Sequence, residues 1–565
     1  MGSESIRAAA AQFHVGSDIA ANLASCLRVL DKAAECKPQL VVLPEFCNHL
    51  SWYDNAKHCY EVSLTMDSHF LREIADKARE ISAFVVVGVT LRRENSTVSG
   101  SNILYSPNGE MLGISDKQVL IGHENDFLIP ATMPGAVVDT DIGCLGLYMC
   151  MDGVLNETPR CLALRGAQVL CNSLNSFAPD EGSMHIPVRA PENRVFVVAA
   201  NKVGPLVPKA MMDGISTATN IPAEFLNGAG ESQIVAPDGT VLAMAKTREE
   251  EVVFADFCPA DADNKTRPDG TDVYRSRRPA LYQALGLNPA EQNAVPFTGP
   301  EKVKVAALQL SQSGFAALAE AEAGIATAEA KLIVLPGLCL LDEPAAENAI
   351  AQSRAVIDAL AAQCGDNYVV TSLVLETESG VRQHAAVLIG KQGLIFSQGQ
   401  VHFSERCAWS ALADSFDSVV LPIGRIGLLV SDDSLYPESS RLLAMQSVQI
   451  LAVPLMPLEG WELATGLPER AGENRMNLIA AAQACAHGNS IIGALQRDFT
   501  IFGEWKERKF DGVLTRPLLT KASATAGLTS AEIYPLCAEN KVVSHRTHLL
   551  DNRPWHLLEP ITAFH

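Results

Sequence analysis

RAPENR, residues 189–194, and RAGENR, residues 470–475, are nearly the same phrase written twice in one chain. Working outward from it, the likeness continues in step. Gly143, Gly146, Cys150 and Asn193 correspond to Gly424, Gly427, Ser431 and Asn474, each pair 281 residues apart. Nearer the N-terminus the order of motifs still holds. AAAAQF around Gln12 returns as VAALQL around Gln309, and LVVLPE, ending at Glu45, returns as LIVLPG, ending at Gly337. A fixed offset over matched glycines marks an internal duplication of a unit of about 280 residues. The stretch NPAEQNAVPFTGPEK, residues 288–302, collects Pro, Asn and Gly and is expected to join the copies. The expected units are residues 1–290 and 300–565.

Within the first copy, short β-type runs alternate with helical ones. PQLVVLP (38–44) and AFVVVGVT (83–90) are β-branched runs bounded by turn residues. Between them SHFLREIADKAREIS (68–82) carries Leu71, Ile74, Ala75, Ala78 and Ile81 at helical spacing, behind Ser68 as an N-cap. Such alternation predicts an α/β layered domain.

Composition narrows the function classes. Of 565 residues, 48% are hydrophobic and 19% charged, which is enough apolar content for a large core. A formal charge of −21 argues against nucleic acid and anionic membrane surfaces as partners, since both call for clustered Lys and Arg. The most apolar region, NLIAAAQACAHGNSIIGAL from Asn477, is interrupted by Gln, His and Asn and reads as buried core, so no membrane span is expected. MGSESIR has no apolar signal core, and Ile6 stands where a myristoylation signal needs Ser or Thr. The fourteen cysteines form no CxxC and look like small buried hydrophobes of a reducing, cytoplasmic setting. Neither a metal site nor an organic cofactor is expected, and no phosphate-cradling loop or synthetase signature is visible.

Three residues then stand out together. Glu45 ends the strand in VVLPEF, Lys117 follows the turn PNGEMLGISDK, and Cys150 ends the strand GLYMC. A charge at the buried end of a strand is costly unless it is paired or used, and strand ends of α/β sheets are where sites form. With the C-x-D of Cys150 and Asp152, RAPENRVFVVAANKVG, PDGTVLA near Gly239 and RRPALY near Pro279, the sequence resembles the nitrilase, or carbon–nitrogen hydrolase, superfamily. The resemblance covers residues 6 to about 284 and, more weakly, 303 to about 556. It implies two tandem α-β-β-α four-layer sandwiches. It also implies docking through the helices that follow Cys150 and Ser431, here as a pseudo-dimer within one chain, with further homo-oligomerisation left open.

The chemistry of the residues agrees. A thiol must ionise to attack a carbonyl. Glu45 is the candidate base, and Lys117 with the backbone N–H of Met151 would hold the oxyanion. Glu124, in HENDF, matches the family's second acid, which orients the lysine and substrate. Arg160, Arg189, Glu192, Arg194 and Asn201 are assigned to the scaffold. In the second copy the catalytic positions have changed: Gly337 replaces Glu45, Gln400 or Val401 replaces Lys117, and Ser431 replaces Cys150. Glu405 is the candidate match for Glu124. That copy is expected to keep the fold and to have lost the chemistry.

The expected reaction is hydrolysis of a non-peptide C–N bond in a small amide, hydrazide or ureido compound through a Cys150 thioester. Met151 and Asp152 follow the cysteine where nitrilases resemble one another in having Trp and Glu, so nitrile hydrolysis is the alternative. A non-catalytic binding or scaffold protein is a second alternative. FCNHLSWYD after Glu45 offers His49, Trp52 and Tyr53 as substrate contacts beside Met151.

Overall fold

The computed structural model describes residues 5–292 and 295–563; of the expected junction, residues 293 and 294 lie outside the described residues. The first half builds two six-stranded sheets. One has the strand order Glu251–Phe257, Ile6–Gln12, Leu40–Val42, Phe84–Arg92, Val98–Tyr105, Met111–Asp116. The other runs Val241–Met244, Gln233–Val235, Phe196–Ala200, Val169–Ser173, Gly143–Met149, Val137–Thr140. The central strands are parallel: Ala8 pairs with Leu40 and Leu145 with Val169.

Alternation along each strand explains the layers. Ala8, Ala10, Leu40, Val42 and Val86 face Leu145, Leu147, Val169 and Cys171 of the other sheet, and Phe196 stacks on Phe257 at 4.1 Å between them. Ala9, Ala11, Val41 and Val85 point the other way, onto Leu23, Leu30, Ile74 and Ala78. Those belong to helices Ile19–Ala34 and His69–Ile81, the latter capped by Ser68 Oγ accepting from the Leu71 N–H. Strands covered on both faces read as continuous apolar runs, as PQLVVLP does. Helix Glu157–Leu164 covers the outer face of the second sheet, with Leu162 packed beside Gly146.

The second half repeats the plan: two six-stranded sheets with Val305, Leu332 and Val334 packed against Ile426, Leu428 and Ile450. Helices Leu318–Thr327 and Ala349–Cys364 lie outside its first sheet, and Pro437–Met445 and Leu467–Asn474 outside its second. The chain is thus two tandem α-β-β-α sandwiches.

The halves pack through the helices outside their second sheets as a pseudo-dimer. Four of the buried ion pairs across the seam form two swapped couples. Arg160 holds Glu438 at 2.9 Å, and Arg441 holds Glu157 at 2.8 Å. Arg189 meets Glu473 at 3.0 Å, and Arg470 meets Glu192. Each couple is related by the 281-residue offset, which is the signature of a two-fold interface whose two sides have become one chain. The scaffold arginines therefore act between the halves as well as within them: Arg189 also holds Glu192 of its own half at 2.8 Å. Arg194, too, pairs across the seam, with Glu459.

Each half also sends its last segment over the other. Tyr282 and Leu285 join a core cluster with Leu442, Leu443 and Leu451, and Arg267 reaches Asp432 at 2.6 Å. In return Val543 and Leu549 pack with Val119, Met151 and Leu155, and Thr547 Oγ1 accepts from the Gly122 N–H at 3.0 Å. Among the described residues no helix is long and apolar enough to cross a membrane, and no group of three or more His, Cys, Asp or Glu is placed to hold a metal ion.

Candidate active site

Glu45 sits just past the strand Leu40–Val42, where the two sheets meet: its N–H donates to Leu174 O at 3.1 Å. The approach requires a glycine on the neighbouring strand. A Cβ on Gly88 would lie 2.7 Å from Pro44 O and 2.8 Å from Glu45 Cα. Lys117 leaves the edge strand Met111–Asp116 and is fully buried, its N–H donating to Gly100 O at 2.8 Å. Its Nζ lies 2.8 Å from Glu45 Oε1 and 2.8 Å from Glu124 Oε2, so the ammonium is clamped between two carboxylates. Glu124 Oε2 is itself fixed by the Ile121 N–H at 3.1 Å. The Glu45 oxygens have no aligned hydrogen bond despite the close ion pair, which leaves them free to accept a proton.

Cys150 follows the strand Gly143–Met149 at φ 43° and ψ −106° and starts the short helix Met151–Val154. A side chain in that region of φ is strained and has to be held by its surroundings. Its N–H donates to Asn172 Oδ1 at 3.1 Å and Ser173 O at 3.0 Å, and its carbonyl accepts from the Gly153 N–H at 2.7 Å. Asp152 adds the tie to the lysine: Oδ1 accepts from the N–H groups of Gln118 at 2.9 Å and Val119 at 2.7 Å. Asp152 thereby fastens the cysteine turn to the Lys117 turn.

Burial sets the protonation states. It lifts Glu45 to about 7 against the pull of Lys117. It lifts the Cys150 thiol well above its ordinary range, with the charge of Glu45 adding and that of Lys117 opposing. Burial alone would lower Lys117, but the charges of Glu124, Glu45 and Cys150 outweigh it and keep the ammonium protonated. The resting site is therefore a neutral thiol beside a base poised near neutrality. A second buried lysine, Lys202, lies 3.3 Å from Phe46 O and is lowered to about 8 by burial.

Cys150 opens onto a cavity of about 90 Å³, well under the roughly 300–1,000 Å³ of drug-sized ligand pockets. Met151, Asn175, Phe177, Asp180, Glu181 and His185 line it from the first half, and Ile501, Leu514, Thr515 and Val543 from the second. The structure brings Glu45, Lys117, Glu124 and Cys150 together and puts Met151 on the cavity wall. His49, Trp52 and Tyr53 stand behind it. His49 Nδ1 is 2.8 Å from Leu50 O, with its ring 6.2 Å from that of Tyr53. Tyr53 packs against Phe127 at 5.5 Å, and Trp52 joins Ile121, Phe177 and Phe225 in an apolar cluster.

Sequence reading passed over Asp180, Glu181 and His185, although the acids of SFAPDEGSMH follow a strand end as Glu45 does. It also passed over the second-half wall, which lies some 350 residues from Cys150 in sequence and has no motif to mark it.

In the second half the corresponding place is closed. The alignment is resolved by Asp433, which accepts from the Val401 and His402 N–H groups as Asp152 does from Gln118 and Val119, so Gln400 is the counterpart of Lys117. A Cβ on Gly337 would lie 2.9 Å from Met456 Cγ, so the space of the lost glutamate is filled. Ser431 Oγ accepts from the Met456 N–H at 2.9 Å and from Arg406 at 3.0 Å, in a relaxed 3-10 turn, Ser431–Leu435. Glu405 points to solvent and takes no part.

The chain belongs to the carbon–nitrogen hydrolase family, whose model matches residues 7–265 and again 304–510. It is 27% identical to a nitrilase of Pyrococcus abyssi over 46% of this chain and 92% of that protein. To the N-carbamoylputrescine amidase of Solanum tuberosum it is 26% identical, over 51% of this chain and 98% of the other. Among solved structures, a mutant of the Nesterenkonia AN1 amidase from the nitrilase superfamily aligns at 23% identity and TM-score 0.40, covering 47% of this chain and 95% of that one.

Proposed function

We propose that the first half hydrolyses a non-peptide C–N bond of a small amide-type substrate, releasing ammonia or an amine. One observation supports the reading above others: a buried ammonium clamped by Glu45 and Glu124 beside a strained, buried thiol that opens on a small cavity. Glu45 takes the thiol proton as Sγ bonds to the carbonyl carbon. The oxyanion is held by Lys117 Nζ and the Met151 N–H, a type of contact worth about 10²–10³ in rate. Glu45 returns the proton to the departing nitrogen, leaving a thioester on Cys150. It then deprotonates the water that attacks the thioester, and the acid product leaves as the thiol is restored. The second half has none of the three groups and serves as a structural partner. Met151 and Asp152 after the cysteine favour an amide over a nitrile.

The test is ammonia release from a panel of amides, hydrazides, ureido acids and nitriles. Cys150→Ala is expected to abolish it, with mass spectrometry finding an acyl adduct on Cys150 of the wild type. Ser431→Ala is expected to leave the rate within about twofold, because Ser431 has neither base nor oxyanion lysine. Turnover by Cys150→Ala would overturn the reading.

A further inference from the structure

The cavity beside Cys150 is rich in acceptors that nothing in the protein satisfies. Glu181 is 5% exposed, lines the cavity, and makes no hydrogen bond or ion pair through its carboxyl among the described residues. Asp180 Oδ2 is saturated by the N–H groups of Leu514 and Thr515 and the Thr515 hydroxyl, at 2.8–3.0 Å, but its Oδ1 is buried without a partner. Asn175 Oδ1, on the same wall, is also buried and unpaired. The nearest cation is already committed: His185 has Nδ1 2.9 Å from Glu469 and Nε2 2.7 Å from the Thr515 hydroxyl. A buried carboxylate left without a partner is expensive, and native proteins keep one where something else completes it.

The duplicated half shows what completes it. Glu181 begins a one-turn π-helix, Glu181–His185, and its counterpart 281 residues on, Glu462, begins another, Glu462–Gly466. In the second half that carboxylate is occupied: Arg267, arriving from the first half's crossing segment, places Nη2 2.8 Å from Glu462 Oε1 and Nη1 2.6 Å from Asp432. Asp432 is the counterpart of Met151, beside the nucleophile position. A guanidinium thus fills the second pocket, while the crossing segment over the first puts Val543 on the wall and leaves Glu181 open.

We propose that Glu181, aided by Asn175 Oδ1 and Asp180 Oδ1, binds a protonated amine on the substrate, so that the enzyme acts on short amides bearing a cationic amino group a few bonds from the scissile carbonyl. The proposal rests on the reading of Cys150 as nucleophile. It also has a chemical consequence. The charge of Glu181 is one of those that raise the Cys150 thiol, so a cation seated on Glu181 removes an obstacle to forming the thiolate.

The test uses the full-length Cys150→Ala protein and paired ligands: 3-aminopropanamide against butanamide, and 4-aminobutanamide against pentanamide. By calorimetry at least one amine is expected to bind about tenfold or more tighter than its neutral partner. Glu181→Gln in the same background is expected to bring the pair within about twofold, while Glu181→Asp, which keeps the charge, retains part of the preference. Equal binding within every pair, or a preference that survives Glu181→Gln, overturns the proposal. Ammonia release by the wild type separates the two readings. Turnover of neutral amides with no amine preference sinks this inference and leaves the hydrolase standing; amine-selective binding with no turnover of any amide does the reverse.

Discussion

In the proposed reaction Glu45 accepts a proton from a thiol and later surrenders it, and its surroundings are suited to both. Burial moves the carboxyl from the ordinary 4.5 up to about 7, while Lys117 keeps it from rising further. A base works only when deprotonated. The acid limb of kcat/KM is therefore displaced upward and is expected near pH 7, falling about tenfold per pH unit below it. A pH–rate profile flat down to pH 5 would remove Glu45 from the role of base. The contrast between Cys150 and Ser431 belongs to this scale as well. The cysteine is held at positive φ by hydrogen bonds that its N–H donates and its carbonyl accepts, whereas Ser431 has relaxed into a turn and its hydroxyl is spent on Met456 and Arg406. Glu45 and Cys150 were legible in the sequence because each puts a reactive side chain at the end of an apolar strand, and Lys117, after the turn PNGEMLGISDK, was legible through its place in the family's order of motifs. Glu181 was not, because the sign of its importance is a missing partner, and only three-dimensional packing shows what a carboxylate fails to touch.

Among the elements, the helices after the nucleophile positions carry the seam. The run NETPRCLALRGAQVL predicted a helix with a packing role, and helix Glu157–Leu164 does lie at the junction with the other half. What periodicity could not disclose is that its charged residues, and not only its apolar face, are buried there. Arg160 and Glu438 are each at most 1% exposed through the side chain, as are Arg441 and Glu157. Glu157 has no other ion-pair partner among the described residues, so Arg441→Met strands its charge away from water and is expected to destabilise by about 3–5 kcal/mol. The double variant Arg441→Met with Glu157→Met should recover most of the loss. Urea unfolding of the three proteins reads this; a single-variant cost at the ~1 kcal/mol of an exposed pair would mean that the seam is wet. The pseudo-symmetry fails near the cavity. Glu469, which holds His185, has Val188 as its counterpart, and His185 has Gly466. The two patches have thus diverged where the second half meets the pocket, while the couples built on Arg160 and Arg189 keep their counterparts.

At the scale of the whole molecule, the duplication was readable from the 281-residue offset and an α/β layering from the strand–helix alternation, while the four-layer sandwich and the docking of the halves were implied by the family resemblance. The exchange of end segments was not, since PALYQALG and VVSHRTHLL carry no periodicity that names a partner. That exchange decides how a fragment behaves. Residues 1–290 alone keep both sheets of the first half but lose Leu514, Thr515 and Val543 from the cavity and expose Cys161 and Leu285 of the seam. The fragment is expected to self-associate or aggregate and to show no amide hydrolysis, as read by light scattering and ammonia release. A monomeric, fully active fragment would show that the second half is dispensable. The crossing of Val543 and Thr547 over the first half also has a meaning in time. A ribosome adding roughly 5–20 residues per second needs roughly 13 to 50 s to travel from residue 290 to the segment that walls the pocket. Throughout that interval Cys150 and Glu45 already exist on a nascent chain whose cavity has no far wall. Each molecule therefore acquires the enclosure around Cys150 only after the second half has been synthesised, and a product truncated near residue 290 carries Glu45, Lys117 and Cys150 without it.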